Sequence, residues 1–161
     1  MRKKRSERPG ETPREAVRRI SLGLLARREH SRRELEQKLL ARGFAVSEIS
    51  AELDALERER LLSETRFATQ FVGSRARRGD GPVKIRAELM QRGVSDELIE
   101  QELQQVEEDW LREAERVREK KFGRAIPETY EERARQARFL QSRGYTLEQI
   151  RKVLRGDIED G

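Results

Sequence analysis

Three eight-residue stretches carry one pattern: RGFAVSEI from Arg42, RGVSDELI from Arg92 and RGYTLEQI from Arg143. Their glycines, Gly43, Gly93 and Gly144, stand 50 and 51 residues apart. Self-similarity at a fixed period of this size marks a repeat architecture, and it constrains the fold more tightly than composition does. The phrase also has a local physical meaning. Glycine just past a helix takes the left-handed conformation that closes it without a Cβ clash. That closure favours an apolar residue after the glycine packed on one in the last turn. The pairs are Phe44 with Leu39, Val94 with Leu89 and Tyr145 with Leu140. Arg42, Arg92 and Arg143 stand where a cation complements the helix dipole.

A new helix follows each joint. Ile49, Leu53 and Leu56 recur as Ile99, Leu103 and Val106, then as Ile150 and Leu154 with Val153 beside them. This i, i+4, i+7 spacing gives one apolar face per helix. Two helices precede that one in each repeat. The first repeat has an apolar face over 14–29 and a capping box, Ser31 with Glu34, that opens a helix running to Arg42. In the second, Phe67, Ala68, Phe71 and Val72 predict a helix over 64–78, and Pro82 starts the next, which carries Ile85, Leu89 and Met90. In the third, Trp110, Leu111, Ala114 and Val117 predict a helix ending near Lys121, and Tyr130, Ala134, Ala137, Phe139 and Leu140 mark another. No alternating run argues for a strand. The expected fold is all-α: three tandem three-helix repeats forming an elongated, curved stack. The repeats are expected at 14–62, 63–109 and 110–156, with a disordered basic tail over 1–13 and a C-terminal tail over 157–161.

The chain is 42% charged, 34% hydrophobic and 5% aromatic. A single-core globule would normally be more apolar. Stacked repeats manage with less, because each unit buries one face against its neighbours. Mean hydropathy is -0.96, yet the sustained periodicity argues against disorder over 14–155. There is no cysteine, so disulfides and thiolate zinc sites are excluded. No apolar run is long enough to span a bilayer. A cytoplasmic location, no membrane association and a monomer are expected. The net charge of +5 favours acidic partners, either nucleic acid or protein.

Catalysis finds little support. The one histidine, His30, reads as an exposed polar residue at a helix junction. The carboxylates lie on helix faces rather than paired in an apolar pocket. The stretch GSRARRGDG lacks the spacing of a phosphate loop. Neither a catalytic residue, a metal nor a cofactor is expected. Sequence-specific reading of DNA is disfavoured because the helices after the first two joints, over 48–59 and 96–109, are acidic and would oppose a polyanion. Positive charge gathers instead on first and second helices, so one basic side is expected. Arg18, Arg19, Arg133 and Arg135 read as ordinary helix-surface ion-pair partners.

The stretch RFATQFVGSRARRGDGPVKIRAELMQRGV (66–94) resembles the central segment of the RecX family, the bacterial regulators of the recombinase RecA. The matching features are Phe67-Ala68, Phe71-Val72, Arg75, Gly79 or Gly81, Ile85, Glu88-Leu89 and Arg92-Gly93-Val94. Residues 24–44, through Arg27, Ser31, Glu34-Leu35, Lys38-Leu39 and Gly43-Phe44, resemble that family's first repeat, and 138–150 resembles its third. Phe71 departs from the tryptophan often found there, one buried aromatic for another. The resemblance implies an inhibitor that binds the RecA filament on single-stranded DNA and suppresses ATP hydrolysis, strand exchange and the SOS co-protease role. It carries over no catalytic residue. The alternative is a protein that binds single- or double-stranded DNA non-specifically through its basic helices. The expected partner-binding residues are Arg75, Arg77, Arg78, Lys84, Arg86, Arg116, Arg118, Lys120, Lys121 and Arg124, with Arg75, Arg77 and Arg78 the least neutralised cluster.

Overall fold

The computed structural model describes residues 7–106 and 109–155. Among them are nine α-helices and no strand. These are α1 (Pro13–Arg27), α2 (Arg32–Ala41), α3 (Val46–Arg58), α4 (Glu64–Arg77), α5 (Pro82–Gln91), α6 (Asp96–Gln104), α7 (Trp110–Phe122), α8 (Tyr130–Ser142) and α9 (Leu147–Arg155). They group as three three-helix repeats.

Caps explain most of the boundaries. Thr12 and Ser31 accept the amides of Glu15 and Glu34, and Glu34 returns a bond to Ser31, completing the capping box. Ser95 and Thr129 cap α6 and α8 in the same way. At the end of α2, Gly43 has φ 91°. Its amide donates to Leu40 at 2.9 Å, and the Phe44 amide donates to Leu39 at 3.3 Å, the paired bonds of a Schellman closure. Gly144 repeats the arrangement, with bonds of 3.0 Å to Gln141 and, from Tyr145, 3.2 Å to Leu140. Gly93, at φ 77°, occupies the same left-handed region.

A further closure of this kind ends α4. Gly79 donates to Ala76 at 3.0 Å and Asp80 to Arg75 at 3.0 Å. The residue after the glycine is here a carboxylate, and it is buried, with 1% exposure.

Three expectations need correction. The stretch read as an N-terminal tail already belongs to the fold from Glu11. Glu11 pairs with Arg19 at 3.0 Å, Thr12 caps α1 and Pro13 is helical. Residues 1–6 and the C-terminal tail, with position 156, lie outside the described residues. The helix expected over 96–109 ends at Gln104, and Glu107 and Glu108 also lie outside. Met90 and Tyr130, read as core-facing, are 51% and 86% exposed. Ile85 and Leu89 supply the buried face of α5, and Leu140 that of α8, so each apolar stripe is narrower than the count of apolar residues suggests.

The chain divides into two compact units. One runs to Gln70 and includes Arg92–Val94; the other comprises Phe71–Gln91 and the residues from Ser95 onward. Sequence repeat and compact unit are therefore different divisions, since the middle repeat contributes to both.

In the first unit, Val17, Ile20, Leu35, Leu39, Ile49, Leu53 and Leu56 form the core, each burial worth about 1.5–3 kcal/mol relative to exposure. Because α1 packs on α3, the basic first helix meets the acidic third. Arg14 and Arg18 reach Glu52 at 3.3 and 3.1 Å, and Arg18 reaches Glu59 at 2.8 Å. The expected basic side is thus not supplied by these residues, whose charge is matched inside the repeat.

In the second unit, Ile85, Leu89, Ile99, Trp110, Ala114, Leu140, Ile150 and Val153 are buried. The α8–α9 joint docks directly on the backbone of the α4–α5 joint. The Gly81 amide donates to the Arg143 carbonyl at 2.7 Å, and the Val83 amide to that of Gly144 at 2.9 Å. The Tyr145 hydroxyl donates to the Gly79 carbonyl at 3.0 Å. Burial raises the tyrosine's pKa, so it remains a donor.

Candidate partner-binding surface

The ten basic residues expected to meet a partner do not form one surface. Arg118 lies inside the protein, with 0% exposure. Its guanidinium binds Glu115, the Gln136 amide oxygen at 3.3 Å and the carbonyls of Gly123, Arg124 and Ala125 at 3.2–3.4 Å. It holds the segment after α7 closed and is unavailable to a partner. Formal charge could not reveal this, because the ligands are mostly backbone carbonyls of a turn.

Arg75, Arg77 and Arg78 are less free than their sequence context implied. Arg75 is half-buried, 4.7 Å above the Phe71 ring and 3.4 Å from Glu88. Arg78 is 3.1 Å from Asp80. Arg77 is exposed, and its carbonyl accepts a bond from Arg116 at 3.0 Å. Arg86 is ion-paired with Glu100. Lys84 is 3.2 Å from Asp80. Arg124 is exposed on the segment after α7.

Four of the expected residues, Arg78, Arg116, Lys120 and Lys121, do come together. With Arg143, Val117 and Phe139 they line a concavity of about 280 Å³. Helical spacing accounts for this. Arg116 with Lys120, Val117 with Lys121, and Phe139 with Arg143 are i, i+4 pairs, each stacked along one helix face. Lys121 Nζ lies 4.9 Å and Arg143 Cζ 5.5 Å from the Phe139 ring centroid, distances at which a ring quadrupole attracts a cation. Phe122 meets Phe139 edge-on at 5.4 Å. Asp80 fixes the adjoining rim, accepting from Arg78 and Lys84 with Arg143 at 4.0 Å. Arg116 is matched by Glu113 at 2.8 Å. Among the described residues, neither Lys120 nor Lys121 forms an ion pair.

Sequence reasoning missed Arg143 and Phe139 as members of this surface. Arg143 belongs to the repeated joint phrase, where helix closure explained it fully. Phe139 sits in the apolar pattern of α8. The signal that could have found them is their i, i+4 spacing beside a cationic first helix.

His30 also requires correction: it is buried, with 2% exposure. Nδ1 lies 3.1 Å from the Arg28 carbonyl and Nε2 2.9 Å from Lys38 Nζ. The carbonyl can only accept, so the proton is on Nδ1, and the bare Nε2 accepts from the ammonium. Burial lowers the pKa of His30, and burial with the nearby Arg28 lowers that of Lys38. This is a structural junction between α1 and α2. Among the described residues, no cluster of histidine and carboxylate side chains could hold a metal ion, and no helix is long and apolar enough to cross a membrane.

These features define a helical-repeat protein whose conspicuous surface chemistry is cationic. The comparisons with known proteins specify it further. Residues 18–56, 63–103 and 107–154 match, in order, the first, second and third three-helix domains of RecX. The regulatory protein RecX of Halorhodospira halophila is 51% identical over 146 residues, covering 91% of each chain. That of Pseudomonas savastanoi pv. phaseolicola is 50% identical over 141 residues, 88% of this chain and 91% of the relative. The crystal structure of RecX from Lactobacillus salivarius superimposes with a TM-score of 0.79 at 19% identity, over 91% of this chain and 97% of that one; at that identity it speaks to the fold. The chain belongs to the RecX family, whose members among its relatives carry the name of regulatory proteins.

Proposed function

We propose that the protein inhibits the RecA recombinase by binding the RecA filament on single-stranded DNA, thereby suppressing its ATPase, strand exchange and SOS co-protease activities. Family membership supports the regulatory role. The observation that carries the mode of contact is the concavity of Arg78, Arg116, Lys120, Lys121 and Arg143, a cationic surface with two lysines that no carboxylate matches among the described residues. A filament on DNA offers acidic protein and phosphate, and opposite fields speed and strengthen association in a salt-dependent way.

The test is RecA ATPase activity on single-stranded DNA with the protein at a small fraction of the RecA concentration. Inhibition at that ratio is expected. Inhibition only at levels that coat the DNA would support direct, non-specific DNA binding instead. Lys120→Glu/Lys121→Glu should raise the half-inhibitory concentration on the order of tenfold, about 1.4 kcal/mol, while stability changes by about 0.5 kcal/mol or less. Wild-type inhibition by this variant at physiological salt would remove the concavity from the contact.

A further inference from the structure

The chain's one histidine holds a lysine that its expected acid has left. Lys38 stands four residues after Glu34 on α2, the spacing at which the two would ordinarily pair. Glu34 is committed elsewhere. Its Oε2 accepts from Arg28 at 2.8 Å and its Oε1 from the Ser31 amide at 3.1 Å. Lys38 turns instead to His30, with Nζ 2.9 Å from Nε2. The Arg28 carbonyl, 3.1 Å from Nδ1, keeps the ring proton on that side. The atom that faces the lysine is therefore a nitrogen with an open lone pair.

The surroundings are cationic. Arg42, the residue that closes α2, follows Lys38 by one turn on the same face, and Arg27 ends α1. Burial lowers the pKa of Lys38, and the charges of Arg28, Arg27 and Arg42 lower it further against Glu34. Among the described residues, neither Arg27 nor Arg42 forms an ion pair. Lys38 itself is exposed. An amine that gives up its proton readily, a base in contact with it and open access are the requirements of a nucleophilic lysine. Guanidinium groups beside it favour a reagent that carries phosphate.

We propose that Lys38 is an acylation site whose donor is an acyl phosphate. Arg27 and Arg42 receive the phosphate group. Nζ attacks the acyl carbon and forms the new C–N bond. The C–O bond to phosphate breaks, and phosphate leaves with that electron pair. The proton that Nζ sheds passes to His30 Nε2 and from there to the departing phosphate. The product amide N–H still donates to Nε2, so the α1–α2 junction survives while one positive charge is lost. Lys120 and Lys121 supply a comparison within the same chain, because arginines line their concavity but no histidine does. The site stands independently of the RecA reading.

The experiment incubates the full chain with acetyl phosphate at mildly alkaline pH and reads the initial acetylation rate of each lysine by mass spectrometry. Lys38 should lead Lys120 and Lys121 on the order of tenfold, and equal rates overturn the proposal. Arg27→Gln/Arg42→Gln should slow Lys38 toward acetyl phosphate more than toward N-hydroxysuccinimide acetate, a neutral donor. Equal slowing with both, or none, overturns the choice of an acyl phosphate. His30→Gln, checked by helical circular dichroism, should slow Lys38 toward both donors alike. A folded His30→Gln protein that acetylates Lys38 at the wild-type rate overturns the proposal. Should that variant fail to fold, the wild-type ratio of Lys38 to Lys120 and Lys121 decides alone.

Discussion

Replacing Gly81 by alanine isolates the close approach of two helical joints. Gly81 is buried, and a Cβ there would fall 2.4 Å from the Gly144 carbonyl carbon, 2.5 Å from its oxygen and 2.5 Å from the Tyr145 nitrogen. All three are backbone atoms, so no side chain can swing aside. The joint must separate, and the bonds from Gly81 to Arg143 at 2.7 Å and from Val83 to Gly144 at 2.9 Å go with it. Overpacking strain of about 1–3 kcal/mol and the loss of the bond from the buried Gly81 give a loss of about 2–5 kcal/mol. That is a large share of a typical total of about 5–15 kcal/mol, and it corresponds to a fall in Tm on the order of 10 °C. Gly123→Ala is the comparison. Its φ is +86°, but a Cβ there meets nothing within 4 Å, so only backbone strain of about 1–3 kcal/mol applies. Gly144→Ala combines both effects, with φ +95° and a Cβ 2.4 Å from that of Lys84, and should be at least as damaging as Gly81→Ala. Urea unfolding followed by Trp110 fluorescence reads the outcome, since this sole tryptophan is buried and bonded to Leu103 at 3.3 Å. A loss below about 1 kcal/mol for Gly81→Ala would refute the reasoning, because joints in backbone contact could not absorb a methyl group so cheaply.

Gly93→Val should cost about 1–3 kcal/mol, because a β-branched residue resists φ +77° and its Cβ would lie 2.9 Å from Arg33 Nε; an unchanged melting midpoint would contradict the closure. Arg118→Met should cost about 2–4 kcal/mol by leaving turn carbonyls without donors, with faster amide exchange over 123–127 as its signature. His30 is neutral in the fold and titrates more readily when unfolded, so its contribution is complete above about pH 6.5 and is lost as pH falls through the window below that value. Melting temperature should therefore drop from pH 7 toward pH 5.5, and His30→Asn should flatten that portion of the profile.

The joints were legible in the sequence because helix closure is a local event. One glycine, one apolar successor and one capping side chain specify it, and Gly43 and Gly144 adopt the expected geometry. Arg118 and His30 were not legible, because their partners are carbonyls and a lysine brought together by the turns at 123–125 and 28–31. Arginine in a basic run looks the same whether it points outward or inward. Arg18 was misread in its partner for a related reason. Helix-surface pairing looks four residues along, whereas Glu52 and Glu59 come from a helix packed across it. The concavity was half legible: α7 announced Arg116, Lys120 and Lys121, but only packing adds Phe139 and Arg143.

Asp80 changes how the cations beside it would take part in binding. A flexible arginine on a surface samples many rotamers, and fixing it on a ligand forfeits up to about 2 kcal/mol of entropy. Arg78 and Lys84 already lean on one buried carboxylate, with Arg143 at its edge, so part of that ordering is complete before any encounter. One acid among three cations still leaves the cluster positively charged. The α4 closure, by placing an aspartate where its counterparts place Phe44 and Tyr145, turns a helix stop into a rigid mount for charge, and preorganisation of this kind raises affinity without adding a contact.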